Sequence, residues 1–413
     1  MNLSLSTQWE HSHYNPNEGK SHLVITIKAT ENIPTGRAPI DLAFALDRSG
    51  SMNGTNKIEL VKEAVIAAVN QLNDSDRAAL VVFDEIVDTL HTLTPLDTPH
   101  RRRLERVTHA VYARGATNLS GGWMASARQL QGDSNDQRIH RTLILTDGLA
   151  NHGITNPRQL ADHATELREG GITTSAIGVG SGFDEMLLSS IAESGGGNFQ
   201  YIADAAGLEA FFSEEISSLS TLVAINPFLD ISLPAGMQAE LINAFPHDQR
   251  RNRASVDLRD LSAGEKVNLV FAVSSRHVRA DEISPELHLH WQLPTTGEIQ
   301  EINESSASIA VSTETPTSHE DAAVIVALEL AAREHREAIL LDREGRYQES
   351  RDLFRQSYDR LMAAPESDQV LDLRERSAAM ASQAIRPMDE HMRKETVHAS
   401  HMRSRGRGGR RHP

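Results

Sequence analysis

The sequence predicts an α/β fold: a doubly wound, Rossmann-like domain inserted in or flanked by a β-sandwich, then a C-terminal helical segment. Three changes of rhythm along the 413 residues carry this reading. Residues 1–38 alternate apolar and polar side chains, as N-terminal strands of a sandwich do. Residues 39–221 alternate near-continuous apolar runs with helical spacing, the mark of a doubly wound domain. Residues 222–315 return to period two, helical spacing governs 316–388, and 389–413 is a basic stretch.

LSLSTQW and SHLVITIKAT are the first strands, and Asn15-Pro16-Asn17-Glu18-Gly19 supplies their turn. IDLAFAL is apolar throughout, as in a strand covered on both faces. KIELVKEAVIAAVNQL then has helical spacing, AALVVF is a strand, and Thr98-Pro99 opens a second helix. RTLILT is a strand, Asn156-Pro157 opens a helix closed at Gly170-Gly171, ITTSAIGVG and NFQYI are strands, and LEAFFSEEISSL is a helix. FLDISL, ASVDL, KVNLVFAV, ELHLHWQL and SIAVST are short strands between Pro, Gly and charged turns, the pattern of a sandwich. Ser318-His319-Glu320-Asp321 reads as a capping box opening a helix to about Arg343. A hairpin around Gly345-Arg346-Tyr347 looks like one tetratricopeptide unit without a second copy, and Pro365 opens a third helix ending near Arg386-Pro387.

Composition narrows the function. The net charge of −16 repels phosphate backbones and argues against nucleic-acid binding by the folded body. Cysteine is absent, which excludes disulfides, thiolate nucleophiles and Cys-ligated metals. The first twenty residues contain no apolar signal core, and the longest apolar run, from Ala322, is broken by Glu329. The expectation is a cytoplasmic protein without a membrane span. No G-x-S-x-G elbow, phosphate loop or H-E-x-x-H motif stands in the sequence, so it is read as not an enzyme.

One constellation rises above this background. Asp47-Arg48-Ser49-Gly50-Ser51 follows the first α/β strand, Gly115-Ala116-Thr117-Asn118 lies between helices, and Thr146-Asp147-Gly148 ends RTLILT. The first and third sit at C-terminal strand ends, where open α/β sheets form ligand crevices. Asp47, Ser49, Ser51, Thr117 and Asp147 are all oxygen donors, which suits a hard divalent cation, Mg2+ or Mn2+. Serine after a strand also commonly caps a helix, but three segments in order are hard to obtain by chance.

These segments resemble the von Willebrand factor A (vWA) family and its metal-ion-dependent adhesion site (MIDAS), over roughly residues 39–220. The resemblance implies that Asp47, Ser49, Ser51, Thr117 and Asp147 bind magnesium, with none of the five substituted. GVGSGFDEMLLSSIAESGGGNFQYI is most similar to the bacterial branch, which resembles chloride-channel-accessory and inter-alpha-inhibitor proteins. It implies a metal-dependent adaptor or scaffold that captures an acidic side chain of a partner, with ATPase or kinase/phosphatase assemblies as candidate partners. A metal-dependent hydrolase and an extracellular adhesin are the alternatives.

Weaker signals remain. His11 with His13, and His288 with His290, are same-face pairs able to bind zinc, although solvent-facing histidines are commoner. Asp84 reads as a rim or turn residue. From Arg393 the sequence holds seven Arg or Lys against Glu395 alone, which predicts a disordered tail; Thr396, Ser400 and Ser404 lie in it as kinase-site candidates.

Overall fold

The computed structural model describes residues 2–32, 36–132, 137–180, 182–202, 205–275, 280–305, 307–382 and 386–404. The chain divides into two units, 33–223 with 293–298, and 1–32 with 224–292 and 299–413. No helix among the described residues is long and apolar enough to cross a membrane.

Strands β1 (Leu3–Trp9) and β2 (Lys20–Ala29) open the chain. The α/β unit follows with β3 (Ile40–Asp47), α1 (Lys57–Gln71), β4 (Arg77–Phe83), β5 (Val87–Pro95), α2 (Thr98–His109) and α3 (Leu119–Leu130). It continues with β6 (Ile139–Thr146), α4 (Pro157–Glu169), β7 (Ile172–Val179), α5 (Glu185–Ser194), β8 (Gly196–Ile202) and α6 (Ala205–Ser220). The sheet order is β5-β4-β3-β6-β7-β8, parallel except for β5 at one edge. Every residue of β3 and β7 is buried, because helices cover both faces. On one face Phe44 meets Phe212 of α6 with ring centroids 6.2 Å apart. On the other Ala43 clusters with Leu130 of α3. A methyl group at Gly122 of α3 would lie 2.1 Å from Phe83 Cδ1, so a side chain there would push this helix off β4. The chain leaves β3 toward β4 on one side and reaches β6 on the other. The β3/β6 ends are therefore a topological switch point, where a crevice opens.

The second unit takes β9 (Leu222–Ser232), β10 (Gln238–Leu241), β11 (His247–Arg250), β12 (Arg253–Asp257), β13 (Leu261–Ser262) and β14 (Lys266–Ser274). After these come β15 (Glu282–Ile283), β16 (Glu286–Gln292), β17 (Ile299–Ser305) and β18 (Ile309–Ala310). One antiparallel sheet is β1-β2-β14-β10 and another is β11-β12-β9-β16-β17. The register sets Leu23 opposite Phe271, Ile25 opposite Leu269 and Ile27 opposite Val267. All six are fully buried, as are Leu229, Val256 and Leu289 of the other sheet. The opposite face of β2 and β14, with Val24, Val270 and Ala272, is covered by Ala322 and Val326 of α7 (Glu320–Arg343). Helices α8 (Tyr347–Ala363) and α9 (Asp368–Ala381) pack on α7 through Leu361, Val370 and Leu373.

Several expectations need correction. The edge strand β5 and the short helix α5 are absent from the sequence reading. Helix starts shift by one to three residues: the caps are Asp97 and Ser367, whose side chains accept from His100 and Val370, and His319 without a side-chain cap. The largest correction is α10 (Glu390–Ser404), a helix where disorder was expected. Lys394, Val397, Ser400 and His401 are buried, and Ser400 Oγ donates to the Ala332 carbonyl of α7 at 3.1 Å. Scattered apolar and small residues give this basic segment a packing face that its charge count conceals. Ser400 is accordingly no open kinase site. Residues 405–413 lie outside the described residues, and so does the side chain of Ser404.

Candidate metal centre

Asp47 ends β3 and is wholly buried. Its Oδ1 accepts the Ser49 N–H at 2.7 Å, and its Oδ2 accepts the Thr146 hydroxyl at 2.5 Å. Neither partner is cationic. Burial therefore dominates and pushes the Asp47 carboxyl up to about 6, with the nearby Asp147 charge adding to it. Asp147, just beyond β6, is equally buried. Its Oδ1 accepts Ser51 Oγ at 2.7 Å, and its Oδ2 pairs with Lys57 Nζ at 2.6 Å. Ser49 and Ser51 hydroxyls lie 3.0 Å apart.

Thr117 comes from the loop before α3. Its N–H donates to Asn151 Oδ1 at 2.9 Å, and its carbonyl accepts the Asn151 and His152 N–H groups. A methyl group at Gly148 would sit 3.0 Å from Thr117 Oγ1, 3.5 Å from Ser51 Oγ and 3.6 Å from Asp47 Oδ2. Oxygens from the first and second segments thus surround one small space that Gly148 of the third leaves free. Ser51 is exposed, so the space opens to solvent on that side.

Cross-bracing holds the loops. Gly50 N–H donates to the Gly115 carbonyl at 3.0 Å, and Arg114 N–H to the Arg48 carbonyl at 2.7 Å. Asp84 is buried beneath them and accepts Arg48 Nε at 2.9 Å and Arg114 Nε at 2.6 Å. Burial pushes Asp84 up, but the Ile86 N–H and both guanidiniums outweigh it and hold the carboxyl below its ordinary range. Asp84 is thus a turn residue, as expected, but a buried brace and not part of the rim. Sequence reasoning also missed Thr146, Lys57 and Asn151. Thr146 stands inside the T-D-G segment and had a signal; Lys57 and Asn151 meet their partners only through folding.

The donor set fits a hard divalent cation: oxygen ligands alone, two carboxylates, and a buried Asp47 lacking any positive partner. The other proposed pair, His11 and His13, is committed elsewhere, to Ser21 Oγ at 3.1 Å and the Glu314 carbonyl at 2.9 Å.

The model of the von Willebrand factor type A domain matches residues 41–214. YfbK of Escherichia coli (strain K12) is 26% identical over 264 residues, 62% of this chain and 46% of that protein. Human inter-alpha-trypsin inhibitor heavy chain H4 is 27% identical over 195 residues, 45% of this chain and 21% of that protein. The chain thus spans about half or less of these relatives. The solved von Willebrand factor type A structure from Catenulispora acidiphila superposes with TM-score 0.74 at 18% identity, covering 97% of this chain and 96% of that one.

Proposed function

The chain carries a von Willebrand factor type A domain, and from it we propose a divalent-metal-dependent adaptor that captures an acidic side chain of a protein partner. The carrying observation is the convergence of Asp47, Ser51 and Thr117 oxygens around the space beside Gly148. Magnesium or manganese there would supply a Lewis-acidic position for a partner carboxylate.

The residues divide the work. Asp47 offers the carboxylate that lacks a cation, and Thr146 fixes its Oδ2. Ser49, Ser51 and Thr117 offer neutral oxygens, which leave a bound ion under-neutralised. Lys57 holds one oxygen of Asp147 and so orients the other toward Ser51. The Asp84 brace keeps the first and second loops together before any partner arrives. The hydrolase alternative has less support, because a single magnesium held by mostly neutral oxygens is a weak activator of water. The cysteine-free sequence fits a reducing, cytoplasmic setting.

Asp47→Ala is expected to weaken magnesium binding at least 10–100-fold, the range typical for losing mere supporting groups. Ser49→Ala should weaken it less, and the fold should persist, since β3 and β6 keep their apolar faces. Calorimetry measures the metal step. Partner pull-down in magnesium against chelator measures the second; equal recovery in both would refute capture through the ion.

A further inference from the structure

We propose a second metal site, of the zinc(II) class, formed by Asp230, His288 and His290 on the outer face of the β9–β16–β17 sheet. It is separate from the Asp47 centre in residues and in donor chemistry.

The strand pattern sets it up. Leu287, Leu289 and Trp291 of β16 point into the core and are at most 3% exposed, so His288 and His290 share the other face. The register places Asp230 of β9 directly opposite His288, and Glu301 of β17 opposite His290. One donor atom from each of Asp230, His288 and His290 lies within 4.8 Å of the others, the one such group among the described residues. The two imidazoles are neighbours, with ring centroids 5.4 Å apart, and Phe228 flanks His290 at 5.1 Å.

The hydrogen bonding is unfinished in the way a ligand would complete. His290 Nδ1 is buried and has no hydrogen-bond partner, a costly state for a ring nitrogen. Asp230 Oδ1 accepts Ser255 Oγ at 2.5 Å, which pins the carboxylate as supporting groups pin metal ligands. Glu301 Oε2 stands 3.3 Å from His288 Nε2, so a carboxylate is present to orient that ring or to add a ligand. An open cavity of about 350 Å³ beside the group is lined by Asp230, Glu286, His288, Asn303 and Glu304, which leaves room for water in a fourth position.

The donor set selects the metal. Two imidazole nitrogens and one carboxylate suit zinc and disfavour magnesium or calcium, which want oxygen throughout. Tetrahedral zinc sets ligand atoms roughly 3.4 Å apart, so the donor atoms, already within 4.8 Å of one another, need to approach by at most about 1.4 Å.

The test uses the chelator-stripped full chain, titrated with zinc against a chromophoric chelator, with cobalt(II) as a spectroscopic substitute. One zinc equivalent is expected in wild type and in Asp47→Ala, with tetrahedral cobalt bands. His290→Ala and His288→Ala should each weaken zinc at least 10-fold, since direct ligands outweigh supporting groups. A wild-type experiment needs no variant: bound zinc should shield His288 and His290 from carbethoxylation, located by mass spectrometry. Zinc affinity within twofold of wild type in the double histidine variant, or modification unaffected by zinc, overturns the site. Loss of zinc from Asp47→Ala would also overturn it, by placing the ion at the other centre.

Discussion

Burial drives Asp47 and His335 in opposite directions. Asp47 is pushed up to about 6 at the candidate metal centre. His335, in α7, is pushed down to about 3, first by burial and then by the positive potentials of Arg403, Arg336 and Arg376. Its Nε2 bonds Ser377 Oγ at 2.9 Å and Ser357 Oγ at 3.1 Å, so it tethers three helices as a neutral ring. The unfolded chain protonates this histidine near 6.5. Between about 6.5 and 3 the unfolded state therefore holds more protons, and stability falls with falling pH. Glu329 runs the other way. Burial lifts it to about 7 against 4.5, so its contribution is lost as pH rises from 4.5 to 7. In denaturant unfolding, the wild-type advantage over His335→Gln should grow from pH 3 to 6.5, by at most about 1.4 kcal/mol per unit, and then level off. A pH-independent difference would mean the folded ring carries charge. At this scale the five oxygen donors are legible because the ligand types cluster in short motifs. Lys57 is not, since ninety residues separate it from Asp147 and no local spacing pairs them.

Elements are legible where burial leaves a continuous or strictly periodic apolar signal. IDLAFAL and RTLILT are covered on both faces and read as strands at once. Strand β5 is half exposed at the sheet edge, so VDTLHTLTP carries no such run. Helix α10 hides for a different reason. Composition averages over its faces, yet Val397, Ser400 and His401 are buried on one side while Glu395 is exposed on the other. Ending the chain after Asp389 would uncover α7 and leave the Ala332 carbonyl without its Ser400 donor. The melting temperature should fall by several degrees, given about 2–4 °C per kcal/mol in a domain of this size. An unchanged melting temperature would show that α10 adds nothing to the unit.

At the scale of the molecule, the insertion decides what depends on what. Alternating patterns mark β2 and β14 as strands, but nothing local reveals that they pair across more than 230 residues of intervening sequence. The physical reason they do is that neither can bury its apolar face alone. In the sheet order β1-β2-β14-β10, strand β2 is internal. Removing residues 1–32 therefore takes away half of a four-stranded sheet. It also exposes the edge of β14 beside Val267, Leu269 and Phe271. The six-stranded sheet of residues 33–223 draws none of its strands from that segment. Deletion should consequently affect the two units differently: limited proteolysis should cut the truncated chain throughout 224–404 while 33–223 persists as a resistant core. If 224–404 resists protease as well in the truncated chain as in the full one, the N-terminal strands are ornaments rather than part of the second unit's core.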